Sequence, residues 1–197
     1  MNASIEKYIK AYNLLQLGGW LAGLACLPFN FLIGYYIIAL FQIYSLAEIV
    51  HALKKWHNSS PLYSFLQIGA RLFILFFSYV LILSSVFSPL PWLNEVVYVM
   101  LTAWCLAEVI RYGYYVMLLF KKEYKWLIKL RYTAFIILYP LGAGCECYLL
   151  YLIFHLNAIL WIKILIIGVA ILYVFMFPKL YLHLLRQRRK KLNESKT

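Results

Sequence analysis

Tyr139 and Glu146 are the two residues whose types and spacing best suit chemistry in this chain. A phenol and a carboxyl group can each give or take a proton. Held on one reacting molecule, they can serve as an acid–base pair. Seven residues of α-helix return the second side chain to within ~20° of the first, about 10 Å further along the axis. Pro140, Gly142 and Gly144 stand between or beside them. Proline removes a helix hydrogen bond and clashes with the preceding turn. Glycine weakens the segment further, so the sequence predicts a kink. Inside a membrane, irregular backbone is tolerated where it is buried in protein or lines a cavity. The expectation is therefore that both side chains look into one intramembrane cavity. A kinked helix with a packing tyrosine and a buried neutral carboxyl fits the same residues.

Further ionisable groups sit in apolar surroundings: Glu48, Arg71, Glu108, Arg111 and Arg131. Each costs roughly 3 kcal/mol at the centre of a membrane helix, so these five with Glu146 would cost about 15–20 kcal/mol unpaired. They must face one another or a wet cavity. Glu108 and Arg111, three apart, can pair along one helix. His51 follows Glu48 at the same spacing, and a buried hydrogen bond between them is as reasonable as a catalytic role.

The elements that must hold these groups are membrane helices. Of 197 residues, 65% are hydrophobic and 13% charged, and mean hydropathy is +0.78. A water-soluble domain keeps roughly a quarter of its residues charged. Too few charges are present to cover a globule, and a span needs about 20 largely apolar residues. Six stretches qualify, over about 11–27, 30–53, 62–87, 92–120, 127–154 and 158–185. The fold class expected is an all-α integral membrane domain of six helices, with the fifth kinked.

Basic residues fall at Lys7 and Lys10, at Lys54 and Lys55, five times within 121–131, and in the tail from Arg186 to Lys191. The breaks near 28–30, 88–91 and 155–157 carry none, and Lys163 alone sits on the opposite side. That alternation places both termini in the cytoplasm. It also accounts for the net charge of +12 without nucleic acid, with attraction to anionic lipid as a further contribution. No cleavable signal peptide, internal repeat or soluble domain is expected.

Other chemistries fit poorly. The four cysteines, Cys26, Cys105, Cys145 and Cys147, all fall inside spans and suit packing rather than a disulfide framework. Cys105 and Arg111 form C-x5-R, but that phosphatase motif needs a loop wrapped around phosphate. On a helix the two would point about 120° apart. The four dispersed histidines do not make a di-iron site, and no dinucleotide fingerprint occurs. Neither a metal nor a cofactor is expected. The readings left open are an enzyme, a catalytically silent scaffold and a small transporter.

Four blocks carry a family resemblance. They are Ala11-Tyr12-Asn13 with Gly19-Trp20; Leu46-Ala47-Glu48-Ile49-Val50-His51 with Ser64-Phe65-Leu66-Gln67-Ile68 and Arg71-Leu72-Phe73; Trp104 with Glu108-Val109-Ile110-Arg111-Tyr112 and Tyr114-Tyr115; and Leu130-Arg131-Tyr132-Thr133 with Leu138-Tyr139-Pro140-Leu141-Gly142 and Glu146. In this order, over about residues 11–150, they resemble the very-long-chain 3-hydroxyacyl-CoA dehydratases, also called protein-tyrosine-phosphatase-like membrane proteins.

The resemblance implies a six-span lyase that removes water from a 3-hydroxyacyl-CoA to give the trans-2-enoyl-CoA, a step of fatty-acid elongation. It implies Tyr139 and Glu146 as the catalytic pair, either one the base and the other the acid. Arg71, Glu108, Arg111, Arg131 and Tyr132 take supporting or substrate-binding roles. The partners implied are the long-chain acyl-CoA, the bilayer and other elongation-cycle enzymes. The membrane is the endoplasmic reticulum in a eukaryote or the inner membrane in a bacterium. The connection between spans five and six is shorter than the family's, and the tail Asn193-Glu194-Ser195-Lys196-Thr197 is not a typical dilysine retrieval signal.

Overall fold

The computed structural model describes residues 3–56, 60–85, 90–120, 124–156 and 159–194. The expected turns at His57-Asn58-Ser59, Ser88-Pro89, Lys121-Lys122-Glu123 and Asn157, and the final Ser195-Lys196-Thr197, lie outside the described residues. Among the described residues seven helices follow in order: α1 (Ala3–Cys26), α2 (Phe31–Tyr44), α3 (Ala47–Leu53), α4 (Pro61–Ser85), α5 (Leu93–Leu119), α6 (Lys125–Leu156) and α7 (Leu160–Glu194). No strand occurs among the described residues.

Among the described residues, five helical stretches are long and apolar enough to cross a membrane: Phe31–Leu53, Pro61–Ser85, Leu93–Leu119, Lys125–Leu156 and Leu160–Arg186. The stretch expected at 30–53 is two helices, because a turn at Ser45-Leu46 separates α2 from α3. α1, expected as the first span, is not among the five. Its polar residues lower its hydropathy, and they point inward. Tyr12, Asn13, Gln16 and Trp20 are buried, while Leu14, Leu15 and Leu21 are exposed. Gln16 Nε2 donates to Tyr12 Oη at 3.0 Å and to Ser45 Oγ at 3.3 Å, and Trp20 Nε1 donates to Gln16 Oε1 at 3.0 Å. A buried amide in apolar surroundings needs such partners.

α1 and α2 form a tight hairpin. Asn30 caps α2 by accepting from the Ile33 amide at 3.1 Å, a contact typically worth about 1 kcal/mol. α5 packs on α1, α2, α4 and α6, so it is the central column. Its Val97, Met100, Leu101, Trp104 and Cys105 are almost entirely buried. α7 lies against α6, and many of its apolar residues, Leu165, Ile171 and Phe175 among them, face outward. α6 runs unbroken through Pro140. Of the cysteines, Cys105 is buried, Cys26 and Cys145 are half-buried, and Cys147 is exposed; all are free.

Candidate active site

Glu146 lies on α6, where Gly142, one turn earlier, leaves room for the indole of Trp104. A Cβ on Gly142 would stand 3.6 Å from that ring. Trp104 Nε1 donates to Glu146 Oε1 at 2.8 Å, and the Tyr173 hydroxyl of α7 donates to Glu146 Oε2. Glu146, 7% exposed, thus has its carboxyl group gripped by donors from α5 and α7. Two donors on one carboxylate fix its plane and meet its need for hydrogen bonds away from water.

Tyr139, two turns nearer the α6 N-terminus, is half-buried. Its ring stacks on Phe177, with centroids 4.8 Å apart, and on Tyr181 at 6.4 Å. Among the described residues its hydroxyl has no hydrogen-bond partner. Tyr173, Phe177 and Tyr181 recur at every fourth position of α7. Together they form the wall opposite Tyr139 and Glu146.

The charged residues form one connected cluster. Arg71 of α4 meets Glu108 of α5 at 2.5 Å. Glu108 also meets Arg111 at 2.7 Å, as the spacing of three foresaw. Arg111 in turn grips Glu48 of α3 with two nitrogens, at 2.8 and 3.0 Å, and Tyr112 donates to the same carboxylate. Bidentate contacts of this kind are the strong form of the ion pair. His51 takes another partner: its Nε2 lies 3.0 Å from the Tyr8 hydroxyl, and its ring stacks on Trp56.

The Arg71 guanidinium lies over the Trp104 ring, 4.9 Å from its centroid. Arg71 therefore joins the ion-pair cluster to the indole that holds Glu146. Arg131 stands apart, over the rings of Tyr114 and Tyr115 at 4.1 and 4.8 Å, with Tyr132 at 5.6 Å. None of the three arginines hydrogen-bonds Tyr139 among the described residues.

A cavity of about 160 Å³ lies on the other side of the cluster, lined by Asn13, Gln42, Glu48, Gln67, Arg71 and Arg111 among others. Neither Tyr139 nor Glu146 lines it, so it is distinct from the shared cavity expected for that pair. No group of three or more His, Cys, Asp or Glu among the described residues could hold a metal ion. Cys105 is fully buried in the core, and Arg111 is engaged by two glutamates. The pair makes no phosphate loop.

Sequence reasoning named Trp104 only as part of a motif and passed over Tyr173. The recurrence of aromatic residues on α7 was the available signal for the second.

Comparison with known proteins now decides the family. The model of the protein tyrosine phosphatase-like protein family, PTPLA, matches residues 42–194. The chain belongs to this family. A probable very-long-chain (3R)-3-hydroxyacyl-CoA dehydratase of Schizosaccharomyces pombe is 34% identical over 162 residues, covering 76% of this chain and 70% of its own. The very-long-chain (3R)-3-hydroxyacyl-CoA dehydratase hpo-8 of Caenorhabditis elegans is 30% identical over 95% of both chains. The human very-long-chain (3R)-3-hydroxyacyl-CoA dehydratase 2 is 31% identical over 95% of this chain and 82% of its own. No solved structure matches. In this chain the C-x5-R of Cys105 and Arg111 lies along α5 and forms no phosphate loop.

Proposed function

We propose that this chain dehydrates a long-chain (3R)-3-hydroxyacyl-CoA to the trans-2-enoyl-CoA in fatty-acid elongation, with Tyr139 and Glu146 as the catalytic pair. The observation that carries the reading is the grip on Glu146, held by Trp104 and Tyr173 on a wall it shares with the unengaged Tyr139 hydroxyl. Elimination takes a proton from the α-carbon, whose electron pair forms the new double bond. The β-hydroxyl leaves as water with a proton from the acid. One member of the pair accepts the first proton and the other supplies the second. Proton return between them restores the starting state.

Arg71 sits where it can influence both Trp104 and an incoming thioester oxygen. Glu108, Arg111 and Glu48 keep that guanidinium in place, while Arg131 and Tyr132 mark the entrance on α6. The chain spans the membrane six times with α1 as the first span, its polar side turned inward. Both termini and the basic connections face the cytoplasm, where the polyanionic CoA head is met. Pro140 bends α6 beside the pair. The membrane is the endoplasmic reticulum in a eukaryotic cell and the inner membrane in a bacterial one, beside the other elongation enzymes.

The deciding experiment is dehydration of 3-hydroxyacyl-CoA by the purified protein in detergent or liposomes, with Tyr139→Phe and Glu146→Gln alongside. Enoyl-CoA formed by the parent and largely lost in both folded variants is the expected result. No turnover across several chain lengths overturns the reading in favour of a scaffold or transporter.

A further inference from the structure

The cavity beyond the ion-pair cluster has no part in the proton transfers described above, and its construction is specific. It lies between the N-terminal half of α1, the α2–α3 turn, the first turns of α4 and the C-terminal half of α5. Its lining includes buried His51 and, at the exposed rim, Tyr63. His51 stacks on Trp56, and Lys54 lies over the same indole, 4.8 Å from its centroid. The rim is thus at the basic end of the bundle. From Tyr63 to Arg71 the wall of α4 descends eight residues, about 12 Å of helix. Arg71 and Glu108 line it on the side of the ion-pair cluster, and Arg71 lies over the indole of Trp104, which reaches Glu146.

The lining chemistry narrows the occupant. The four charged side chains of the wall, Glu48, Arg71, Glu108 and Arg111, are paired with one another. No surplus charge remains for a phosphate or a cation. Besides the imidazole of His51, what is left carries no charge: the amides of Asn13, Gln42 and Gln67, the hydroxyls of Ser45 and Ser64, three tyrosines, and apolar Ile9 and Ile68. Gln42 is 1% exposed, and its Oε1 has no hydrogen-bond partner among the described residues. A buried acceptor left unmatched is costly and calls for a donor. The volume of about 160 Å³ is below the roughly 300 Å³ of sites that enclose a whole ligand, so the cavity takes a segment of one.

We infer that this cavity binds the pantetheine arm of an acyl thioester. The arm alternates methylene groups with two amides, which matches a neutral lining of amides, hydroxyls and isoleucines. Its phosphorylated end stays at the lysine-bearing rim. Its sulfur end arrives at Arg71, from which the acyl carbons continue past Trp104 to Glu146. An arm amide N–H supplies the donor that Gln42 Oε1 lacks. This inference rests on the dehydratase reading.

The test is a substrate series with one 3-hydroxyacyl group on CoA, on pantetheine and on ethanethiol, using the purified full chain, Gln42→Leu and Gln67→Leu. Gln42→Leu keeps the side-chain size and removes the unmatched oxygen, so the protein stays folded. Gln67→Leu probes the opposite wall. The expected result is a loss of about tenfold in kcat/KM on the CoA and pantetheine thioesters, the scale of one lost hydrogen bond, and less than about twofold on the ethyl thioester. Equal losses on all three thioesters, or no loss on any, overturn the subsite while leaving dehydration standing. Absence of turnover by the parent on every thioester overturns the dehydratase reading and the subsite with it.

Discussion

The indole nitrogen of Trp104 and the carboxyl of Glu146 meet at 2.8 Å across 42 residues of sequence. The contact ties α5, the buried column, to the one carboxyl of α6 placed near Tyr139. With Tyr173 on the second oxygen, Glu146 has little freedom to rotate. Positioned groups gain rate because the cost of orienting them has already been met in folding.

Trp104→Phe and Tyr173→Phe are therefore expected to lower kcat by about tenfold each, the scale of one misplaced catalytic group, with KM little changed. In a Glu146→Gln background, either substitution should add almost nothing, because the group it positions no longer works. Steady-state kinetics of the single and double variants on one 3-hydroxyacyl-CoA provide the check. Equal multiplicative losses in both backgrounds would show that the two residues act elsewhere.

The ion-pair cluster makes a stability prediction. The side chain of Glu108 is 5% exposed and that of Arg71 16%, and Glu108 bridges both arginines. Glu108→Leu leaves two partly buried cations with a single remaining carboxylate, Glu48. Removing one member of a buried pair costs about 3–5 kcal/mol. The surface pair of Glu6 and Lys10, whose side chains are 48% and 34% exposed, should contribute about 0–1 kcal/mol. Thermal melting in detergent should show a large fall for Glu108→Leu and almost none for Glu6→Gln.

Part of this cluster was legible from spacing and part was not. Glu108 and Arg111 stand three apart on one helix, so their pairing needed no tertiary information. That Arg71 and Glu48 complete the network depends on how α3, α4 and α5 pack. The cost of isolated charges in lipid demanded partners for them without naming which. The same applies to Tyr139 and Glu146. Helical periodicity put them on one face, but the cavity is lined by other residues, because Phe177 and Tyr181 of α7 fill the space beside Tyr139. Tyr173 was hidden for a simpler reason: one tyrosine among eighteen carries no mark of function until a neighbouring helix brings it to a carboxyl group. The turn at Ser45 was masked by the continuous apolar run around it, since hydropathy sees composition and not hydrogen bonds.

Cys105 tests the phosphatase-like label directly. It is fully buried on α5, and Arg111 is committed to Glu48 and Glu108. A nucleophilic thiolate needs access and an electropositive setting, and this thiol lacks the first. Cys105→Ser should leave dehydration within about twofold, since the change is near-isosteric and Cys105 is not one of the acid–base pair. Hydrolysis of p-nitrophenyl phosphate should be absent in parent and variant alike. Phosphate release that disappears in Cys105→Ser would reverse this conclusion.

The α1–α2 hairpin depends on a close approach that only glycine permits. A Cβ placed on Gly34 would stand 2.8 Å from the Leu27 backbone nitrogen and 2.9 Å from its Cα. Those are backbone atoms at the base of the turn, so no rotamer change can relieve the contact. On Gly18, by contrast, a Cβ meets nothing within 4 Å. Gly34→Ala should cost about 1–3 kcal/mol through overpacking and lower the melting temperature in detergent. Gly18→Ala should be neutral or slightly stabilising, as alanine is the better helix former by up to about 1 kcal/mol. Because Gln42 and Ser45 lie at the far end of α2, two to three turns from Gly34, a hairpin forced open at its base also shifts the cavity wall. Gly34→Ala should therefore raise KM for the CoA thioester as well, while Gly18→Ala leaves KM unchanged and does not lower the melting temperature.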